Sequence, residues 1–335
     1  MPTTTRRAAA RRAPLVAGVD LGGTKIQTVL MRGEEVVGKG RELTPQGGAE
    51  DVTAAIVKTM DTAAAEAGAT ITSITGVGIG FPGTVEGQDG TVVRAVNLPM
   101  FEGFALGRAV AAAVGGAEVR INNDVSVAVV GEQRLGAGRP YRDFIGVFVG
   151  TGVGGGLVLE GSLRDGRGAA GEIGHMVVKP NGRRCGCGRR GCLEAYAGRL
   201  SMERTARRWV KRGRKTVLFD LMEARGRDHL ASGVIAKALA NDDRMARRLV
   251  DDGVAALGVA LASAQNLLDV EAFVIGGGLG DRLGKPFVAR IERAMKPHLL
   301  ADKRPPKMLL AELGDLSGAI GAALIATPVA RATSR

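Results

Sequence analysis

Apolar positions open over residues 15–19, a run that ends on Asp20 and the turn Gly22-Gly23, and this predicts a first strand. Ile26, Thr28 and Leu30 alternate with Gln27, Val29 and Met31 to predict a second strand, and Val36 and Val37 mark a short third one. Between residues 50 and 67 the period changes: Val52, Ile56, Val57 and Met60 recur at helical spacing, which predicts a helix laid over that meander. A strand over 76–80 runs into Phe81-Pro82-Gly83. A helix over 106–114 precedes a strand over 118–121, which stops at Asn122-Asn123-Asp124 ahead of a helix over 125–135. The order then begins again. A strand over 144–149, the loop Gly150-Thr151-Gly152 and a return strand over 155–160 lead through later helices to a strand over 272–275 and its glycine turn. Two meander-then-helix halves in succession predict a duplicated α/β architecture with a cleft between two lobes.

At 335 residues the chain is long for a single hydrophobic core, and an apolar fraction of 45% supports two packed lobes. No apolar run reaches the roughly 18–20 residues that cross a bilayer, and no hydrophobic segment backs the arginine-rich N-terminus. A soluble, cytoplasmic protein with a basic, disordered tail over residues 1–13 is therefore expected. The net charge of +12 raises nucleic acid as a partner. Its distribution points elsewhere. Arg6, Arg7, Arg11 and Arg12 lie on the tail, and Arg204, Arg207, Arg208, Lys211, Arg212, Arg214 and Lys215 lie on or just after one helix. Aromatic residues, at 3%, leave few platforms for stacking on bases. A solvated charge face with no nucleic-acid or membrane partner is expected, and attraction of polyanions stays as the alternative.

All three cysteines, Cys185, Cys187 and Cys192, fall in one glycine-punctuated loop that ends at Glu194. On such pliable backbone they can converge on one ion, and His175, ten residues upstream of the first thiol, supplies an imidazole as fourth ligand for tetrahedral zinc. A zinc loop over 175–194 is the expectation. Four protein ligands leave the metal no open position, so its role is structural, and free thiols fit a reducing compartment. The other ring nitrogen of His175 becomes a fixed donor that can orient a ligand hydroxyl. Asn97, Asn123, Glu172, His175 and Glu194 together carry the chemistry that binds vicinal hydroxyls.

Three glycine-bearing turns follow apolar strands: Asp20-Leu21-Gly22-Gly23-Thr24-Lys25, the run from Gly150 through Thr151 and Gly152 to Gly156, and Gly276-Gly277-Gly278. Glycine lets backbone amides approach phosphate oxygens, while tight hairpin geometry is the alternative for any single turn. Three in one chain, with Asp20 and Thr24 at the first, favour a nucleotide. No P-loop pattern is present. Gly150, Gly152 and Gly155 have the spacing of a dinucleotide fingerprint, with Glu172 about where a ribose-binding acid would fall. Residues 157–161 nevertheless read as a hairpin strand, not as the helix that must face a pyrophosphate. Asp124 can cap the helix that it opens, or, ionised near that helix's positive end, accept the proton of a hydroxyl attacking a phosphoryl group.

Taken together, these segments resemble the ROK family (repressor, open reading frame, kinase), and within it the bacterial glucokinase-like sugar kinases, over roughly residues 16–323. The resemblance rests on the first phosphate turn at Asp20–Lys25, Gly80-Phe81-Pro82-Gly83, Asn97, Asn123-Asp124, the turn at Gly150, Glu172-Ile173-Gly174-His175, the cysteine loop ending in Glu194, and Gly276-Gly277-Gly278. It implies an actin-like, hexokinase-like (ribonuclease H-like) two-lobe fold that closes on substrate, ATP with magnesium as phosphoryl donor, and a homodimer. Lobe boundaries are expected at 14–122, completed by a helix at about 316–330, and at 123–315. By the same resemblance Asp124 is the base for the sugar 6-hydroxyl, and Gly83, Asn97, Asn123, Asp124, Glu172, His175 and Glu194 are sugar contacts. His175, Cys185, Cys187 and Cys192 correspond to the family's zinc set. Asp20, Gly22, Gly23, Thr24, Lys25, Gly150, Thr151 and Gly152 face the phosphates, and Gly276, Gly277 and Gly278 the adenosine. Where many glucokinase-like members carry a tryptophan, this chain has Met100 and Phe101. An ATP-dependent glucokinase is the leading expectation. A kinase for mannose, fructose, N-acetylmannosamine or N-acetylglucosamine, or one using polyphosphate, is the alternative. A sugar-sensing repressor would need an N-terminal helix-turn-helix, for which about thirteen residues before Pro14 are too few.

Overall fold

A computed structural model describes residues 13–87, 89–95, 98–301 and 303–327. The basic tail expected over 1–13 lies, apart from Ala13, outside the described residues, as does Asn97. Among the described residues no helix is long and apolar enough to cross a membrane. The chain forms two compact units: the described residues up to Leu135 together with those from Leu316 onward, and Gly136–Asp315.

In the first unit the meander is β1 (Leu15–Leu21), β2 (Lys25–Arg32) and β3 (Glu35–Leu43), followed by α1 (Ala49–Glu66), β4 (Gly76–Phe81), a small hairpin of β5 (Thr84–Glu86) and β6 (Thr91–Arg94), α2 (Leu106–Ala113), β7 (Glu118–Asn123) and α3 (Asp124–Leu135). The sheet order is β3-β2-β1-β4-β7, with β1, β4 and β7 parallel. One face is covered by α1, whose Val52, Ile56, Met60 and Ala63 are buried against the strands. The other is covered by the chain's last described helix, here the tenth, Ser317–Ala326, which is almost wholly buried. That helix and α3 also pack on each other. α3 therefore belongs with the first unit, one helix later than the expected boundary after residue 122, because its buried face has its partner there.

The second unit repeats the plan with β8 (Phe144–Val149), β9 (Val153–Leu159), β10 (Ser162–Arg164), β11 (Ala272–Gly276) and β12 (Lys307–Leu310), in the order β10-β9-β8-β11-β12. Read along each sheet, three antiparallel meander strands are followed by two parallel ones, so the duplication expected from the sequence extends to topology. Its helices are α4 (Glu194–Ala197), α5 (Arg199–Val210), α6 (Leu218–Glu223), α7 (Ser232–Ala240), α8 (Arg244–Leu268) and α9 (Gly277–Met295); the last described helix becomes α10. At the start of α8, Asp243 accepts a hydrogen bond from the Ala246 amide (2.7 Å), and the helix buries Leu249, Val250, Leu257 and Leu261 in that unit's core.

Strand ends lie further along the chain than the apolar pattern places them: β1 continues through Asp20 and β7 through Asn123. Asp and Asn are poor strand formers by propensity. Here parallel pairing overrides propensity, since Asp20 is in register with Gly80, and Gly80 with Asn122.

Helix α10 lies directly on the sheet because the strands beneath it carry glycine. A Cβ at Gly18 would run into the Ala319 carbonyl, one at Gly78 into the Ala322 carbonyl, and one at Gly321 into the Val127 carbonyl of α3. Each clash is with main chain, which cannot swing aside. We expect Gly78→Ala to destabilise the protein by about 1–3 kcal/mol or more, read as a lowered denaturant midpoint. Gly23→Ala, at a turn where a Cβ meets nothing within 4 Å, should stay within about 0.5 kcal/mol of wild type.

Candidate active site and metal cluster

The carboxyl ends of the parallel strands gather the first unit's candidate residues. Asp20 ends β1 beside Gly80 of β4, and β4 leads straight into Gly83, while Asn122 and Asn123 end β7 and Asp124 begins α3. In open α/β sheets this edge is where ligands bind. The helix cap proves to be Asn123: its Oδ1 accepts from the Val125 and Ser126 amides at 3.0 and 3.2 Å. Asp124 sits one residue into the helix, half-buried, and its Oδ1 accepts from the Val125 amide at 2.9 Å. Asn123 thus caps α3 while the Asp124 carboxyl lies at the positive end of that helix, where the dipole favours negative charge. Asp20 lies against the first turn of α10, since a Cβ on Gly318 would come within 2.7–2.8 Å of its carboxylate.

The first turn is a closed hairpin. The Gly22 amide donates to the Lys25 carbonyl (3.0 Å), the Thr44 hydroxyl donates to the Gly22 carbonyl (2.6 Å), and Lys25 Nζ donates to Gln27 Oε1 (3.0 Å). In the second unit the turn of residues 150–152 joins β8 to β9, with the Gly150 amide donating to the Gly152 carbonyl at 2.9 Å. Gly276 ends β11 in register with Phe148 of β8, so that turn and Gly277-Gly278 emerge at the same end of this sheet. Gly277, at φ +78°, adopts a backbone that other residues rarely take.

A residue missed in the sequence supports the 150–152 turn. At the start of α5 the Arg199 and Leu200 amides donate to the Gly150 and Thr151 carbonyls at 3.1 and 3.2 Å. The Arg199 guanidinium donates to Thr151 Oγ1 (2.9 Å) and the Leu230 carbonyl (3.1 Å), while its Nε is buried without a hydrogen-bond partner. Burial holds this guanidinium below the usual arginine range, and among the described residues no carboxylate pairs with it. An unneutralised cation beside a glycine turn suits an anionic ligand. Its one trace in the sequence is its position directly after Gly198.

The thiol loop gathers the four expected ligand atoms. His175, Cys185, Cys187 and Cys192 bring theirs within 4.8 Å of one another. Cys187 and Cys192 Sγ are 3.8 Å apart, and Cys185 Sγ lies 3.9 Å from His175 Nδ1. A tetrahedron with sulfur about 2.3 Å from its centre has edges of about 3.8 Å, so the set fits one zinc-sized ion. Nδ1 is the imidazole nitrogen turned to the thiols, and Nε2 faces Glu172 Oε2 at 3.9 Å. Burial pushes the Cys185 thiol up to about 12, with the Glu194 charge adding to it, and burial also raises Cys192. For exposed Cys187, burial opposes ionisation, but hydrogen bonds from the Arg189 side chain and backbone bring it down to about 6. Glu194 joins this cluster to the turn: Oε1 lies 3.7 Å from Cys185 Sγ, and Oε2 accepts from the Val153 amide at 3.1 Å.

Comparisons with known proteins place the chain in a family. Residues 16–328 match the ROK family. Glucokinase of Thermotoga maritima is 32% identical over 314 residues, covering 92% of this chain and 96% of that protein. N-acetyl-D-glucosamine kinase of Erwinia tasmaniensis is 33% identical, covering 92% and 98%. Among solved structures, a ROK family glucokinase from Streptomyces griseus in complex with glucose and AMPPNP superposes with a TM-score of 0.79 at 33% identity, covering 93% of this chain and 99% of that one. The fold is accordingly the actin-like, duplicated two-lobe fold of ROK hexokinases and glucokinases. With the family match running almost the whole length of the described chain, the protein belongs to the ROK family.

Proposed function

We propose that the protein is an ATP-dependent hexose kinase, with glucose its preferred sugar, that transfers the γ-phosphoryl group to the sugar 6-hydroxyl. The observation that carries this reading is the placement of Asp124: a carboxylate held at a helix N-terminus by a neighbour's cap, on the ligand-binding edge of a parallel sheet. A carboxylate at the positive end of a helix is the group that takes the hydroxyl proton as the oxygen attacks phosphorus. Sugar contacts are assigned to Gly83, Asn97, Asn123 and Asp124, and the same role to Glu172, His175 and Glu194. The turn of Gly22, Gly23, Thr24 and Lys25 and that of Gly150, Thr151 and Gly152 are assigned to the phosphates, the second braced by Arg199. Gly276, Gly277 and Gly278 are assigned to the adenosine. Magnesium, which arrives with the nucleotide, neutralises charge on the transferring group. Asp20 is the residue of the first phosphate turn with the carboxylate chemistry that magnesium requires.

The four-ligand cluster is assigned to structural zinc. His175 would hold such a metal through Nδ1, which faces Cys185, leaving Nε2 as the nitrogen that can meet a hydroxyl, and Glu194, 3.7 Å from Cys185 Sγ, would be steadied with it. The similarity to glucokinases and to N-acetylhexosamine kinases at comparable identity keeps an N-acetylated hexose as the second reading.

Replacing Asp124 by Asn keeps the hydrogen bond from the Val125 amide and removes the base. Turnover should fall about 10²–10⁴-fold while the sugar still binds; a folded Asp124→Asn protein with near-wild-type turnover rejects the assignment. A coupled assay over a panel of sugars, with ATP and polyphosphate tested separately, should rank glucose with ATP first. Elemental analysis should find about one zinc per chain. Once zinc is stripped, Cys187 should be the first cysteine alkylated near neutral pH, since its thiolate forms above about 6, and the reaction should slow as pH falls below that value. Restored zinc should protect it; mass spectrometry of the labelled peptides reads both outcomes.

A further inference from the structure

A groove of about 430 Å³ on the second unit borders the thiol loop, with Cys185, Gly186 and Gly188 in its lining, but holds none of the residues assigned above to sugar or nucleotide. One wall is Arg183 and Arg184, directly ahead of Cys185; the other is the face of α5 that presents Ser201, Arg204, Thr205 and Arg208. No carboxylate lines it. Arg183 pairs with Asp252 outside the groove, and Arg207, on another side of α5, pairs with Glu203. Among the described residues Arg184, Arg204 and Arg208 enter no ion pair. Arg204 spends only Nε, on the Leu200 carbonyl (3.3 Å), and Arg208 spends Nη2 on Thr205 Oγ1 (3.2 Å).

Part of the groove is rigid before anything binds. The Arg183 guanidinium is stacked 4.7 Å from the centre of the Tyr196 ring and anchored by Asp252, and its Nη1 is buried with no hydrogen-bond partner. The Ser201 residue is 5% exposed, and its hydroxyl makes no hydrogen bond to a described residue. Three lining arginines without an ion pair, Arg184, Arg204 and Arg208, repel one another unless an anion lies among them, and forked guanidinium donors match the several oxygens of a phosphate better than a single carboxylate. The volume lies within the range of about 300–1,000 Å³ typical of small-molecule sites, which is larger than inorganic phosphate alone needs.

We propose that this groove is an additional anion site that binds a phosphate-bearing small molecule between the Arg183-Arg184 segment and helix α5. Because Cys185 continues the first wall, a ligand held there also tethers the thiol loop to α5. The proposal does not depend on the kinase assignment.

The chain carries one tryptophan, Trp209, and its ring lies 5.8 Å from the Arg183 guanidinium, so its emission reports on the groove. The full-length protein, without nucleotide, is titrated at constant ionic strength with sodium phosphate, glucose 6-phosphate, tripolyphosphate and, as a control, chloride, with calorimetry run alongside. A saturable response to at least one phosphate compound and none to chloride is expected, and the compound with the lowest midpoint identifies which phosphate source the groove prefers. R204Q/R208Q, two exposed positions whose exchange should leave the melting temperature unchanged, should raise that midpoint about tenfold or more. Arg184→Gln should shift it in the same direction by less. Absence of saturable binding by both methods, or an unaltered midpoint in a folded R204Q/R208Q protein, overturns the proposal; neither result bears on whether Asp124 is the base.

Discussion

The close seating of α10 on the first sheet is the constraint from which the geometry of that unit follows. Main chain meets main chain where Gly18 and Gly78 lie under the helix and where Gly321 lies against α3. Dense contact of this kind leaves no room for a side chain and so fixes the spacing between elements to within a fraction of an ångström. Two consequences bear on chemistry. The N-terminal turn of α10 is set against the Asp20 carboxylate, and α3, which Asp124 opens directly after β7, packs against α10 at Val127. A segment nearly 300 residues downstream of Asp20 thereby abuts one carboxylate and the helix that carries the other.

The second unit relies on a different fastening. The thiol cluster is not far from the 150–152 turn in bonding terms, because Glu194 reaches Cys185 with one oxygen and the Val153 amide with the other. Helix α5 grips the same turn from its own first residues through Arg199 and Leu200. The four candidate metal ligands, the turn and the start of a basic helix are thus joined through a few contacts: Gly152 of the turn leaves space that the Glu194 carboxylate occupies, and a Cβ on Gly191 of the thiol loop would enter the Lys179 carbonyl. Hydrogen bonds to groups beside the ligands orient metal sites generally.

Periodicity marked the first meander, two of the three strands of the second and the helices over 50–67 and 106–114, because these elements each bury one face and so carry a period of two or 3.6, while the short strand over 162–164 was too brief to show one. The cysteine loop was equally plain, since the structure brings its three thiols and His175 within 4.8 Å of one another as expected. Strand ends at Asp20 and Asn123 escaped that reading, as pairing and not propensity extends them. Asn123 was legible as a polar residue before a helix, but which of Asn123 and Asp124 caps depends on where the first helical turn begins.

Composition, local period and residue type determined by themselves the class of fold, its duplication and the ligand chemistry of the 175–194 loop, because these are properties of neighbours along the chain. The return of a C-terminal helix to the first lobe came from the family resemblance, and only tertiary structure decided that α3 packs with the first unit and that Arg199 supports a turn nearly fifty residues upstream. Those outcomes arise from contacts between segments far apart in sequence, where shape and unpaired polar groups choose the partner and no local pattern records the choice.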